Sequence, residues 1–202
     1  MTAAVQRVID LAWEAVEARR DLVHGQARPR PPLAPLEQAR EESRFGDRFA
    51  VLAQLEAAIE LAGRGVLGHL AEAFADALED LRWSQNPSYD ETSVSRELLD
   101  GYAYVGLSGP DSPVRCEAPL SGFLIMGANV TYDDHAHGPR EIYLVLTPGS
   151  QWRLDKGEWF DVAPGDLIFH DTWQMHATRT ASQPFLAFVA WLEPGDRKHI
   201  EI

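Results

Sequence analysis

The feature that most constrains this chain is a short array of histidines and a glutamate near its middle. His135, His137 and Glu141 form an H-x-H-x3-E motif with a Gly138-Pro139 turn inside it, and His176 follows 35 positions after the glutamate. Imidazole and carboxylate groups are ligands that zinc, iron, manganese and nickel accept in a mixed nitrogen and oxygen site. Alternate side chains of a strand share a face, so the first two histidines are expected to point the same way. The array predicts a metal site with these four residues as ligands.

Two tyrosines flank this array. Tyr143 stands two positions after Glu141, so in a strand both side chains face one cavity. Tyr132 stands three positions before His135, which is the wrong parity for a regular strand. A bulge at Asp133-Asp134 is needed if the Tyr132 ring points inward.

Composition narrows the function classes. The 202 residues suffice for one well-buried domain, and the formal net charge of −13 argues against nucleic acid or an anionic membrane as partner. No apolar run approaches the ~20 residues that span a bilayer, and the first residues lack a secretory pattern, so a cytoplasmic location is expected. The single cysteine, Cys116, excludes an internal disulfide framework and is expected to be a buried thiol.

The first half of the chain has helical periodicity. Apolar residues recur at three- and four-residue intervals in residues 2–23, 35–44, 47–62 and 67–83. The prolines in residues 27–35 cannot continue a helix, so they separate the first stretch from the second. Residues 1–85 are therefore predicted to be a helical segment that packs on or beside a later sheet, and they contain no catalytic cluster.

The second half has the pattern of short strands. Apolar runs separated by turn residues occupy residues 102–105, 122–126, 142–146, 152–154, 166–169 and 185–191. Strands of this length predict an antiparallel sandwich or barrel. The predicted fold is mainly β, a small jelly-roll barrel over residues 86–202 that carries the metal site and follows the helical segment.

These motifs resemble those of a known fold family. His135-x-His137-x3-Glu141 looks like the first metal motif of the cupins, and Pro164-Gly165-Asp166 followed by His176 resembles the second. The resemblance covers residues 100–192 and implies a single cupin barrel. Two glycines, Gly127 and Gly149, are displaced from their usual positions, which we interpret as loop variation.

Further details resemble the short bacterial dimethylsulfoniopropionate (DMSP) lyases of the Q type. A helical segment precedes a single barrel, tyrosines stand at positions 132 and 143, and Trp191 lies on the last long strand. The resemblance implies a carbon–sulfur lyase that cleaves DMSP to dimethyl sulfide and acrylate by β-elimination. It also implies one transition-metal ion per subunit, with zinc or iron favoured and manganese, cobalt or nickel compatible.

The same resemblance suggests roles for aromatic residues. Tyr143 is expected to be the base that removes the proton α to the carboxylate, and a nearby cation lowers its pKa from ~10. Tyr132 would orient the substrate or assist the base. The faces of Trp191, Trp173 and Tyr102 are expected to hold the cationic sulfonium by cation–π attraction.

Several alternatives stay open at the level of sequence. A cupin dioxygenase would use the same three histidines and one glutamate around iron, and a non-catalytic cupin would bind a small ligand. His170 rivals His176 as the fourth ligand. Arg140 would pair with Asp133 or Asp134, or reach a substrate carboxylate. A homodimer is expected, because cupin barrels often pair through sheet faces or added helices.

Overall fold

Most of the described helices lie in the first half of the chain and most of the strands lie in the second half, as the sequence predicts. The structure is a computed structural model, and it describes residues 2–19, 23–24, 49–194 and 200–201. The helices within these residues are α1 (Ala3–Glu17), α2 (Leu55–Gly63), α3 (Gly68–Ala77) and α4 (Arg96–Gly101), with 3-10 turns at Ala50–Gln54 and Leu78–Asp80. The strands are β1 (Val23–His24), β2 (Trp83–Ser84), β3 (Tyr102–Ser108), β4 (Leu120–Met126), β5 (Thr131–His137), β6 (Glu141–Val145), β7 (Ser150–Leu154), β8 (Phe160–Val162), β9 (Leu167–His170), β10 (His176–Thr180), β11 (Phe185–Trp191) and β12 (Ile200–Glu201).

The strands form two sheets that face each other. One sheet has the order β1-β9-β6-β11-β4-β3-β2, and the other has the order β12-β5-β10-β7-β8. All pairs are antiparallel except β1 with β9. The predicted cupin jelly roll is confirmed. The turn at Gly138-Pro139 leads from β5 in one sheet to β6 in the other, so the H-x-H-x3-E motif is shared between both sheets.

Helices α1, α2 and α3 cover the outer face of the seven-stranded sheet. In α1 the Thr2 hydroxyl caps the first turn by accepting a hydrogen bond from the Val5 amide, and the apolar residues of the helix then form one buried stripe. Trp13 from this stripe meets Phe188 of β11 with 5.6 Å between ring centroids. Phe74 of α3 stacks on Phe123 of β4 at 4.0 Å. Helices and sheet therefore share one core.

Strand β11 is apolar at every position because both of its faces are buried. Leu186, Phe188 and Ala190 face the helices and belong to the outer core. Phe185, Ala187 and Val189 face the interior of the barrel. A strand buried on both faces carries apolar residues at every position, not at alternate ones.

The element boundaries differ from the sequence prediction at several places. Helix α1 ends at Glu17, and the fourth helical stretch ends at Ala77, after which a 3-10 turn leads into β2. Helix α4 and strands β1, β2, β8, β10 and β12 were not predicted, because each is at most six residues long and too short to show a periodic pattern. The proline-rich connector at residues 27–35 and the helical stretch at residues 35–44 lie outside the described residues.

Two expectations from composition can be compared with the structure. No helix in the described part of the chain is long and apolar enough to cross a bilayer. Cys116 is buried as predicted, and its thiol donates to the Pro119 carbonyl oxygen at 3.5 Å.

Phe123 is a test of the core between helices and sheet. Phe123→Ala removes the ring that stacks on Phe74, and a large-to-small change at a fully buried site should lower the free energy of unfolding by about 3–5 kcal/mol. Urea denaturation measures this value. Val66→Ala is the control, because Val66 is 64% exposed and should change stability by less than about 0.5 kcal/mol. Equal stability of the two variants would contradict the shared core.

Candidate active site

Three of the four predicted metal ligands, His137, Glu141 and His176, bring donor atoms together inside the barrel, and the fourth, His135, lies beside them. His135 and His137 come from β5, His176 from the neighbouring β10, and Glu141 from β6 in the opposite sheet. His135 and His176 are paired across the two strands, and their ring centroids lie 4.1 Å apart. One donor atom from each of His137, Glu141 and His176 lies within 4.8 Å of the other two. All four side chains are buried.

The three histidines of this group use their Nδ1 atoms in the same way. Each Nδ1 lies against a backbone carbonyl oxygen two residues away: His135 with Asp133 at 2.8 Å, His137 with Pro139 at 2.8 Å, and His176 with Gln174 at 2.9 Å. A carbonyl oxygen only accepts, so Nδ1 must carry the proton. A neutral imidazole held in this way presents the lone pair of Nε2 to the site interior.

These lone pairs point into a volume that suits a cation. His176 Nε2 is buried and has no hydrogen-bond partner among the described residues, and it lies 3.5 Å from Glu141 Oε2. His137 Nε2 lies 3.1 Å from the same oxygen. A nitrogen lone pair beside a carboxylate oxygen needs a proton or a metal ion between them. The donor set of imidazole nitrogens and one carboxylate therefore fits a transition-metal ion.

The protonation states suit metal binding as well. Burial lowers the pKa of His135 to about 3, so this imidazole is neutral. Burial raises the pKa of Glu141, but the charge of His137 and the hydrogen bonds of His137 and His170 outweigh it and hold the pKa well below its ordinary value. For His137, burial lowers the pKa, and the negative charge of Glu141 more than reverses this. A metal ion would therefore compete with a proton at His137.

His170 lies beside this group but differs from it in its hydrogen bonds. The Trp152 indole N–H donates to His170 Nε2 at 2.9 Å, and His170 Nδ1 lies 2.9 Å from Glu141 Oε2. Both ring nitrogens are therefore engaged, whereas His176 keeps an unpartnered Nε2. Of the two rival ligands, the geometry favours His176.

Tyr132 points inward because β5 contains the bulge that the sequence requires. His176 pairs with His135 and Thr178 pairs with Tyr132, so three steps on β5 match two steps on β10. The additional residue falls at Asp133-Asp134, as predicted. The Tyr132 ring stacks on the His135 ring with 4.0 Å between centroids, and burial raises the pKa of its hydroxyl well above 10.

A cavity of about 80 Å³ opens beside the histidines. Its wall includes the ligand candidates His135, His137 and Glu141 and the aromatic residues Tyr102, Tyr132, Tyr143 and Trp191. Tyr143 follows Glu141 on the same face of β6, as its parity predicts. Burial, and next the negative charge of Glu141, raise the pKa of Tyr143 well above 10.

Trp191 is bound directly to the ligand group. Its indole N–H donates to Glu141 Oε1 at 2.8 Å, and its ring lies 4.6 Å from the His137 ring. It is thus both a wall of the cavity and a support for the carboxylate.

Two expectations do not match the structure. Trp173 does not line the cavity: it has a left-handed backbone with φ 57°, is 49% exposed, and places its ring beside Gly138 on the surface. Arg140 pairs with Glu193, through its guanidinium and its backbone N–H, and not with Asp133 or Asp134. The sequence could not predict the position of either side chain, because each position depends on contacts between segments that are distant in the sequence.

Tyr89 is a site residue that the sequence analysis missed. Its hydroxyl lies 2.6 Å from the Tyr132 hydroxyl, and burial raises its pKa to about 12. It lies in the polar segment between β2 and α4, which has no apolar periodicity. Its only sequence signal is an aromatic residue among turn-forming residues.

Comparison with known proteins assigns the family. The sequence model of the dimethylsulfoniopropionate lyase family matches residues 33–187, which is more than half of the chain. The chain belongs to the DMSP lyase family. The DMSP lyase DddQ of Ruegeria pomeroyi is 28% identical over 122 residues, which cover 60% of this chain and 60% of that relative. The match thus spans about three fifths of the length of this curated relative.

Two solved structures of DMSP lyases share the fold. The crystal structure of R. pomeroyi DddQ aligns with a TM-score of 0.69 and 23% identity, covering 95% of this chain and 92% of that one. A chain from the crystal structures of the DMSP lyases RdDddP and RnDddQII aligns with a TM-score of 0.71 and 22% identity, covering 99% and 97%. Both structures therefore align over nearly the whole length of this chain, and not over the barrel alone.

The ligand set leads to a prediction about metal binding. Zinc present at about 100-fold above its Kd should stabilise the wild type by about 2.7 kcal/mol, and His176→Ala should lose most of this gain. Thermal unfolding with and without zinc measures the difference. His69→Ala is the control, because His69 is exposed on α3 and should respond to zinc as the wild type does. An undiminished response of His176→Ala would rule out His176 as a ligand.

Proposed function

We propose that this protein is a metal-dependent DMSP lyase that converts DMSP to dimethyl sulfide and acrylate. The observation that carries the proposal is the position of Tyr143, on the same face of β6 as Glu141 and in the wall of the same cavity. The chain's membership of the DMSP lyase family supports this reaction, and the geometry is compatible with Tyr143 acting as a base beside a metal site.

The cavity wall suits a substrate that carries a sulfonium at one end and a carboxylate at the other. The aromatic rings of Tyr102, Tyr132 and Trp191 offer faces that attract a cation. Among the described residues that line this cavity there is no lysine or arginine. The carboxylate of the substrate therefore has its natural partner in a metal ion and not in a basic side chain.

The ion would be held by His135, His137, Glu141 and His176. When bound, it would supply Lewis acidity to the substrate carboxylate and would favour the phenolate form of a nearby tyrosine. Zinc or iron is our proposal for its identity, and manganese, cobalt and nickel accept the same ligands.

The residues of the chain then perform the elimination. Tyr143, as phenolate, takes the proton from the carbon α to the carboxylate. The electron pair of that C–H bond forms the double bond of acrylate, and the electron pair of the carbon–sulfur bond leaves with sulfur as neutral dimethyl sulfide. Tyr143 afterwards gives its proton to water. Tyr132, anchored through Tyr89, orients the substrate against the metal site.

The role of Tyr143 can be tested directly. Tyr143→Phe keeps the ring but removes the base, so the rate of dimethyl sulfide release should fall about 10²–10⁴-fold. Headspace analysis of sealed vials with metal-loaded protein and DMSP measures this rate. Metal content and thermal stability of the variant serve as controls and should stay close to the wild type.

Other outcomes of this assay have distinct meanings. Dimethyl sulfide release that survives Tyr143→Phe would assign the base to another group, with Tyr132 the next candidate. A fully metal-loaded wild type that releases no dimethyl sulfide would overturn the lyase proposal. Consumption of oxygen with a small thiol or diketone would then point to a dioxygenase.

The Tyr89–Tyr132 pair leads to a separate prediction. Tyr89→Phe removes one hydroxyl of the 2.6 Å contact, and loss of one hydrogen bond of 0.5–1.5 kcal/mol should lower kcat/KM by roughly 2- to 12-fold. Because the two hydroxyls act as one unit, adding Tyr132→Phe should cost less in the Tyr89→Phe background than in the wild type. Steady-state kinetics of the four proteins measures this coupling. Strictly additive effects would contradict it.

A further inference from the structure

Trp152 and His170 form a hydrogen-bonded link that ends at the metal site. Trp152 is 1% exposed and His170 is 0% exposed, so water does not compete for their polar atoms. An indole N–H only donates, so the 2.9 Å contact requires His170 Nε2 to accept from Trp152 Nε1. A neutral imidazole with an accepting Nε2 carries its proton on Nδ1. That Nδ1–H lies 2.9 Å from Glu141 Oε2 and donates to it.

The other oxygen of Glu141 is held from the opposite side. Glu141 is paired with Trp191 of β11 on one flank and with His170 of β9 on the other. The Trp191 indole N–H donates to Oε1 at 2.8 Å, while His170 donates to Oε2. With one N–H donor on each oxygen, the plane of the carboxylate is fixed before any metal binds.

The link also joins the two sheets that supply the ligands. Trp152 lies on β7 and is paired with Thr178 of β10, in the sheet that carries the ligand histidines. His170 lies on β9, in the sheet that carries Glu141. The His170 ring stacks on the His176 ring with 3.6 Å between centroids. A shift of His170 would therefore disturb one ligand from each sheet.

We propose that Trp152 and His170 are positioning residues for the metal centre: Trp152 selects the His170 tautomer that donates to Glu141, and this donation presets the carboxylate as a ligand. The inference rests on the metal site of the proposed function but not on its substrate. Groups that orient ligands in this way commonly contribute 10–100-fold in metal affinity, and we expect a loss of this size when the link is broken.

Three substitutions separate this role from simple packing. Trp152→Phe keeps an aromatic ring but removes the donor that selects the tautomer. His170→Asn places an amide N–H near the Nδ1 position and keeps the donation to Glu141, whereas His170→Leu fills similar space without a donor. Trp83→Phe is the matched control, because Trp83 is a buried tryptophan of the outer core, away from the cavity.

The experiment is a titration of the metal-free proteins with cobalt(II), followed by its visible absorption. Trp152→Phe and His170→Leu should lose about 10–100-fold in affinity, His170→Asn should recover most of the loss, and Trp83→Phe should match the wild type. Equal affinity of His170→Leu and His170→Asn, or a wild-type affinity for Trp152→Phe, would overturn the proposal.

A second measurement needs no variant. Nitrogen NMR of histidine-labelled, metal-free wild type should show His170 as the Nδ1–H tautomer, and finding the Nε2–H tautomer would overturn the proposal. Both measurements are independent of DMSP cleavage. If the variants show the expected order of cobalt(II) affinities but the metal-loaded wild type releases no dimethyl sulfide, the proposed function is contradicted and the positioning role is still supported.

Discussion

The buried carboxylate of Glu141 is the group on which the site depends. An ionised carboxylate loses several kcal/mol of hydration when it is buried, and only paired partners return it. Two N–H donors, from His170 and Trp191, supply part of this compensation. The remaining neighbours, His137 and His176, direct Nε2 at the carboxylate, and a nitrogen lone pair there repels it unless a proton or a metal ion lies between them. The site is thus electrostatically complete only with a positive charge at its centre.

That balance depends on the distance between the two sheets. Three of the candidate ligands lie on one sheet and Glu141 lies on the other, so the spacing of the sheets sets the spacing of the ligands. Close packing fixes this spacing, because interiors resist changes in volume. The helices contribute indirectly: α1 and α3 bury the outer face of the seven-stranded sheet, which would otherwise expose Phe123 and Phe188 to water. Helices α1 and α3 therefore support the geometry of a cavity that neither of them lines.

The features that the sequence predicted correctly are those that follow from local geometry. The parity of Tyr143 with Glu141 and the bulge at Asp133-Asp134 both follow from the alternation of side chains along a strand. An antiparallel barrel could be predicted because its longest strands are apolar and separated by turn residues, whereas the cupin assignment came from the resemblance of the two metal motifs. Trp173 and Tyr89 could not be placed, since neither has a periodic pattern and both positions depend on where a loop meets a distant strand. Strand β10 escaped prediction because its residues are mostly polar, although it is buried between two neighbours.

Spacing along the sequence does not decide whether His170 or His176 is the fourth metal ligand. Both lie beside the same loop, both follow the H-x-H-x3-E motif, and both approach Glu141 Oε2. What separates them is Trp152, a residue of another strand whose N–H engages His170 Nε2 and leaves His176 as the ring with a free lone pair. Both ring nitrogens of His170 form hydrogen bonds, so it can only position another ligand. His176 has one ring nitrogen without a hydrogen bond, so that nitrogen can bind a metal ion. The distinction lies in the hydrogen bonds of the second nitrogen, and no spacing along the chain records it.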